Sequence, residues 1–138
     1  MSEPAQPTAR LLLRVLRRFE EALQERLHAD DFDDVTVAQT NVLRHLNPEG
    51  MRQSELAHDA GISKQAASQA VRALQSRDLV RVEQDPTDAR ARRVVYTERG
   101  QALIHCAIDH IGALEGEWMS ALGEAEYRQL RSLLQQLG

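Results

Sequence analysis

Residues 79–97 read Leu79-Val-Arg-Val-Glu-Gln84, then Asp85-Pro-Thr-Asp88-Ala-Arg90-Ala-Arg92-Arg93, then Val94-Val-Tyr-Thr97. The outer segments, Leu79–Gln84 and Arg93–Thr97, alternate apolar with polar residues, the period of half-buried strands. Between them lie turn formers with Arg90 and Arg92, and Arg93 follows directly as the third arginine of the tip. The stretch therefore predicts a β-hairpin with a basic tip.

What precedes the hairpin is helical. Thr36-Val-Ala-Gln39 has the form of a capping box, with Thr36 as N-cap and Gln39 reaching back, and Val42, Leu43 and Leu46 continue the apolar stripe. Asn47-Pro-Glu-Gly50 ends that helix. A short helix over Gln53–Ala60 turns Leu56 and Ala57 inward, and Gly61 supplies the positive φ that a tight turn needs before Ser63 caps the next helix. Short helix, tight turn, capped helix and basic hairpin in succession predict a winged helix.

The helix after Ser63 has two unlike faces. At 100° per residue Ala67, Ala70, Val71 and Leu74 share one side, while Gln65, Ser68, Gln69 and Arg72 share the other. The outward side carries hydrogen-bonding groups and no acid. Gln can address adenine in bidentate fashion, Arg guanine or phosphate, and Ser either a base edge or a phosphate, which suits a major groove. Ser63, Lys64, Gln65, Ser68, Gln69 and Arg72 are the candidate readers. The plainer reading of that face is ordinary solvation.

In the hairpin, Arg90, Arg92 and Arg93 are expected as an exposed cluster that needs an anionic partner or the nearby Asp85 and Asp88. Asp88 is read as bracing Arg90 from below, leaving Arg90 free to enter a minor groove. The alternative is a solvated turn with local ion pairs.

Net charge over the whole chain is −4, which disfavours nucleic acid, but its distribution reverses that reading. Residues 51–100 hold 9 basic side chains against 7 acidic, whereas residues 1–50 hold 6 against 9 and residues 101–138 hold 2 against 5. Positive charge is concentrated where a local patch would meet phosphates.

The 138 residues suit one domain, 1–138, with a core that 4% aromatic content makes mainly aliphatic. Ser2–Pro7 reads as a frayed arm. A long amphipathic first helix carries Leu12, Val15, Leu16, Phe19, Leu23 and Leu27 at helical spacing and ends near Asp30–Asp34. Leu103, Ile104, Ala107, Ile108, Ile111 and Leu114 make the helix after Gly100 apolar over a wide arc, and Leu130, Leu133, Leu134 and Leu137 stripe the last one. This is more apolar surface than one small domain readily hides, and a homodimer would cover it. One cysteine excludes an intrachain disulfide framework, and no signal peptide or membrane-spanning run is evident, so a cytoplasmic protein without a membrane partner is expected.

Thr36-Val-Ala-Gln39 with Val42-Leu43, Ser54-Glu-Leu-Ala57 with Gly61-Ile-Ser63, Leu74–Val80, Asp85-Pro-Thr-Asp88-Ala-Arg90 and Thr97-Glu-Arg-Gly100 together resemble the MarR-type transcriptional regulators over nearly the whole chain. The resemblance implies a mainly α fold with a small β-hairpin wing: a winged helix-turn-helix lobe at about 36–97, and N- and C-terminal dimerisation helices at about 8–30 and 100–137. It further implies a homodimeric repressor on a pseudo-palindromic operator in double-stranded DNA, released by a small phenolic or aromatic effector. Trp118, Phe19 and His45 are candidates for such a pocket, with core or interface as the plainer reading.

Three positions depart from the family pattern. Arg52 stands where a Thr or Ser cap is usual, so that helix start is expected to be poorly capped, or Arg52 to contact phosphate. Asp78 replaces a glycine after the recognition helix, and Gly123 a side-chain cap before the last one.

Some relatives sense oxidation through a cysteine near the start of the first helix, where this chain has none. Cys106 lies in an apolar helix without an adjacent Lys or Arg and reads as inert. Cys106 with His110, and His105 with Asp109, share helix faces as weak metal candidates, and a metal-sensing regulator of this fold is one alternative reading. No glycine-rich phosphate loop, nucleophile elbow or catalytic carboxylate–histidine cluster is present, so neither an enzyme nor a cofactor is expected. The rival from another class is a winged-helix module that binds protein without specific DNA recognition. The arginine set Arg72, Arg90, Arg92 and Arg93 argues against it.

Overall fold

A computed structural model describes residues 5–138, so Ser2–Pro4 of the expected arm lie outside the described residues. The elements in chain order are α1 (Thr8–Ala29), α2 (Val37–Leu43), β1 (Met51–Arg52), α3 (Gln53–Ala60), α4 (Lys64–Ser76), β2 (Val80–Asp85), β3 (Asp88–Tyr96), α5 (Glu98–Leu122) and α6 (Glu124–Leu137). The fold is mainly α with one small antiparallel sheet.

Local sequence chemistry sets the helix starts. Thr36 Oγ1 accepts from the Gln39 amide and Gln39 Oε1 accepts from the Thr36 amide, both at 3.1 Å, closing the capping box that starts α2. Ser63 accepts from the Ala66 amide at 3.0 Å to start α4. Gly61 ends α3 in the left-handed region at φ +67, and Asp78 adopts φ +56 where glycine is the more usual residue. Arg52, the N-cap of α3, makes no side-chain cap bond.

The sheet runs β1-β3-β2. Its third strand, β1, is a finding beyond the hairpin: Met51 pairs with Val94 and Arg52 with Arg93. Two residues are too few to show alternation. Met51, Leu56, Leu74, Leu79, Val80 and Val94 are buried together between the sheet and the helices, and Tyr96 ties sheet to α2 by donating to the Leu43 carbonyl at 2.7 Å.

The core continues into the long helices through Leu23 and Leu27 of α1 and Leu103, Ala107 and Leu114 of α5. There it stops. Leu11, Leu12, Val15 and Leu16, in the first half of α1, are between 43% and 50% exposed, and Ile108, Met119, Leu122, Leu133, Leu134 and Leu137 are exposed as well. One apolar groove of about 600 Å³ runs between Leu11, Leu12, Val15 and Leu16 of α1, Trp118 and Leu122 of α5, and Leu130 and Leu134 of α6. Among the described residues no helix is long and apolar enough to cross a membrane.

Candidate nucleic-acid interface

Burial of Ala67, Val71 and Leu74 fixes the rotation of α4 about its axis. It turns Lys64, Gln65, Gln69 and Arg72 to solvent, with Ser68 half-buried beside them. From Ile62 to Arg77 the chain has no acidic residue, so nothing on this face repels an anion. Arg72 folds back along the helix, its Nη2 3.3 Å from Ser68 Oγ. Ser63 accepts the Ala66 amide, so its oxygen is already engaged in capping.

The hairpin has a shorter turn than the expected tip between Gln84 and Arg93. Only Pro86 and Thr87 lie between β2 and β3, and Arg90, Arg92 and Arg93 belong to β3. Arg92 is opposite Gln84 and Arg93 opposite Glu83, but the next pair is Asp85 with Asp88. Ala89, Arg90 and Ala91 therefore have no counterparts and form a bulge that carries Arg90 outward. Gln84 Nε2 donates to the Ala89 carbonyl at 3.1 Å and holds the bulge shut.

The expected cluster of three free arginines is corrected by this geometry. Successive residues of a strand point to opposite faces, so Arg92 is exposed while Arg93 is half-buried and donates through Nη2 to the Glu49 carbonyl at 2.9 Å. The brace between Asp88 and Arg90 is also of another kind. Asp88 Oδ1 accepts the Arg90 backbone amide at 3.0 Å, shaping the chain and leaving the guanidinium unengaged by Asp88.

Asp85, in sequence only a neighbouring counter-charge, anchors the wing. It is buried, and its Oδ1 accepts both the amide and the hydroxyl of Thr87, at 2.8 and 2.7 Å. Its Oδ2 takes Arg52 Nε at 2.9 Å. The Thr87 hydroxyl and amide, then Arg52, hold this carboxyl well below the usual carboxylate range. Asp-Pro-Thr, with a hydroxyl residue two places after the aspartate, is the sequence signal for such a turn. Arg52 thus has one nitrogen committed to the wing.

A profile of the MarR family matches residues 33–91, from the loop before α2 into the bulge of the wing. The lobe from α2 into the wing is thus similar to the MarR family.

The fold of the chain matches solved members over nearly full length. The CouR transcriptional repressor bound to a 23-mer DNA duplex is 26% identical, with 95% of this chain and 92% of that one covered at a TM-score of 0.78. A cysteine-to-serine mutant of E. coli MarR complexed with operator DNA is also 26% identical, covering 95% and 93% at a TM-score of 0.78. The S. aureus MepR–DNA complex, at 19% identity, covers 96% and 97% with a TM-score of 0.80 and speaks to the fold alone. Among curated proteins none matches in sequence.

The other candidate residues fall apart spatially. His110 Nε2 lies 2.5 Å from Asp30 Oδ2, while His105 and Asp109 are exposed. Among the described residues no three His, Cys, Asp or Glu side chains are grouped to hold a metal ion. Burial, with Asp30 and Asp109 nearby, pushes the Cys106 thiol above its ordinary value and keeps it protonated, the opposite of what a metal ligand or redox sensor needs. Phe19 and His45 do line one cleft of about 350 Å³, together with Leu16, Val37, Arg44 and Ile111. Trp118 instead faces the apolar groove and packs against Phe19 with ring centroids 5.3 Å apart.

Proposed function

We propose that this chain is a MarR-family regulator, a homodimeric repressor in the cytoplasm that reads a pseudo-palindromic operator and releases it on binding a small aromatic acid. One observation carries the reading most directly: an outward face of α4 with Lys64, Gln65, Ser68, Gln69 and Arg72 and no acid, followed by a wing that projects Arg90 on a bulge. In a major groove Gln65 and Gln69 suit base edges, while Lys64, Arg72 and Ser63 suit phosphates. Arg90 suits the adjacent minor groove and Arg92 the flanking backbone. Arg52, with its remaining nitrogens, is a further backbone contact.

The apolar groove supports a second copy as partner. Leaving Leu11, Leu12, Val15 and Leu16 in water together with Leu122, Leu133 and Leu134 forfeits several kcal/mol of burial by ordinary area accounting, about 1.5–3 kcal/mol for each fully covered side chain. Twofold association through 8–30 and 100–137 would set the two α4 helices about one DNA turn apart, roughly 34 Å. The cleft sets the Phe19 ring and apolar Leu16, Val37 and Ile111 beside Arg44, a cation that suits an aromatic carboxylate, with Asn41, His45 and Glu20 also on its lining.

The test is an anisotropy titration of the purified protein against its own upstream DNA and a scrambled duplex at several salt concentrations. Preference for the upstream DNA by a hundredfold, roughly 3 kcal/mol, with a steep salt dependence, is expected. A confirmed dimer that binds neither duplex at low salt would favour the protein-interaction module.

A further inference from the structure

Resting on that reading of DNA binding, we infer that Asp34, Arg77 and Arg99 form a clamp that sets the position of the recognition helix α4 relative to α5, so that Arg99 and Asp34 are positioning residues for operator recognition. Asp34 lies in the linker between α1 and α2, Arg77 is the C-cap of α4, and Arg99 sits in the first turn of α5. Three segments distant in sequence meet in a closed triangle. Arg99 Nη2 and Nη1 reach the two Asp34 carboxylate oxygens at 2.6 and 3.3 Å. Nη1 also donates to the Arg77 carbonyl at 2.5 Å, and Arg77 Nε donates to the Asp34 carbonyl.

The placement of Arg99 makes sense only through α4. A cation in the first turn of a helix opposes that helix's own dipole, so Arg99 does nothing favourable for α5. The last carbonyls of α4 lack intrahelical donors and form the negative end of its dipole, and Arg99 caps one of them with a charge-assisted bond. Phe32 backs the guanidinium, its ring centroid 5.4 Å away. Arg99 is half-buried with both terminal nitrogens engaged, so it is spoken for within the fold and not held out to phosphate. Beside the triangle, Asp78 turns at φ +56 and its carbonyl accepts the Thr97 hydroxyl at 2.6 Å, a second link between the end of α4 and the start of α5.

A planar fork is what spans the two acceptors, and lysine, a single point charge, does not replace it. The test therefore compares Asp34→Asn, Arg99→Gln, Arg99→Lys and the Asp34→Asn/Arg99→Gln double variant on the duplex the wild type prefers and on a scrambled duplex, over a salt series. Each variant is expected to weaken the preferred duplex about tenfold while changing scrambled binding less than twofold, with the salt slope intact, and the double variant to be no weaker than Arg99→Gln. Unchanged affinity for the preferred duplex would overturn the inference. So would wild-type affinity in Arg99→Lys, which would leave charge alone as the cause. Equal loss on both duplexes with a shallower salt slope would also overturn it, because Arg99 would then be a phosphate contact.

Asp34→Asn keeps the backbone carbonyl that Arg77 uses and carries the test if Arg99→Gln does not fold. Should the wild type discriminate between no duplexes, the regulator reading itself fails. Amide exchange at Asp78 and Leu79 then tests the clamp without DNA: exchange about tenfold faster in Asp34→Asn supports it and unchanged exchange sinks it.

Discussion

Arg52 and Asp85 stand 33 residues apart in sequence and are joined by a 2.9 Å bond that pins the two-residue edge strand to the turn end of the wing. The Asp85 carboxyl is depressed by the Thr87 hydroxyl and amide and then by Arg52. A carboxylate whose folded pKa lies below its unfolded value adds stability that is complete above the unfolded value, about 3.9, and that is lost as pH falls through the folded one. Stability should therefore drop as pH falls below about 4, since the unfolded chain binds the proton first. Thermal melts from pH 6 downward should show a shallower acid loss in Asp85→Asn than in the wild type. Identical acid slopes would refute the anchor.

Arg90 and Arg93 should behave as different kinds of residue despite their shared charge. Arg90→Ala is expected to weaken binding to every duplex and to lower the salt slope by about 0.9, one phosphate's worth. Arg93→Ala should instead cost about 1 kcal/mol of folding stability through the lost bond to the Glu49 carbonyl. Denaturant titration and salt-series anisotropy on both variants separate the two effects.

Gln69→Ala should act through sequence and not through charge. Loss of a bidentate base contact is expected to relax preference at one operator position by about 1–3 kcal/mol with the salt slope unchanged. Binding to a panel of single-base operator variants reads this directly, and an undiminished preference at every position would remove Gln69 from the reading set.

Leu12→Glu places a charge in the apolar groove without touching α4 or the wing. Light scattering should find half the wild-type mass, and operator binding should fall with it. A variant that kept the dimer mass would show that this groove is not the interface.

Gly100→Ala should be among the most damaging single changes in the chain. A Cβ there would sit 2.0 Å from the Leu79 carbonyl oxygen, a backbone atom that cannot swing aside. Loss of more than about 3 kcal/mol, or failure to fold, is expected on chemical denaturation.

The elements that the chain announces by itself are those fixed within a few residues of sequence. Thr36 with Gln39, Ser63 before Ala66, and Gly61 after Ala60 each satisfy backbone groups three or four residues away, so their residue types suffice to find the helix starts. The face of α4 is legible for the same reason, since Ala67, Val71 and Leu74 define it by period alone. Arg52 with Asp85 and Arg99 with Asp34 join residues 33 and 65 apart, and nothing local marks them. Arg93 escaped the sequence because its partner is the Glu49 carbonyl, an atom that every residue type offers. The bulge escaped because Ala89-Arg90-Ala91 among turn formers reads as loop, whereas Gln84 and Arg92 close the ladder around it.

That bulge separates two lengths that a plain hairpin would couple. Val94 must stay in register with Val82 and Met51 for the core to close, yet Ala89, Arg90 and Ala91 lie outside the ladder. Residues added or removed there would change how far the arginine reaches while leaving every paired residue where it is. The wing can thus be lengthened or shortened by evolution, or by an engineer, as an adjustable probe on a fixed mount.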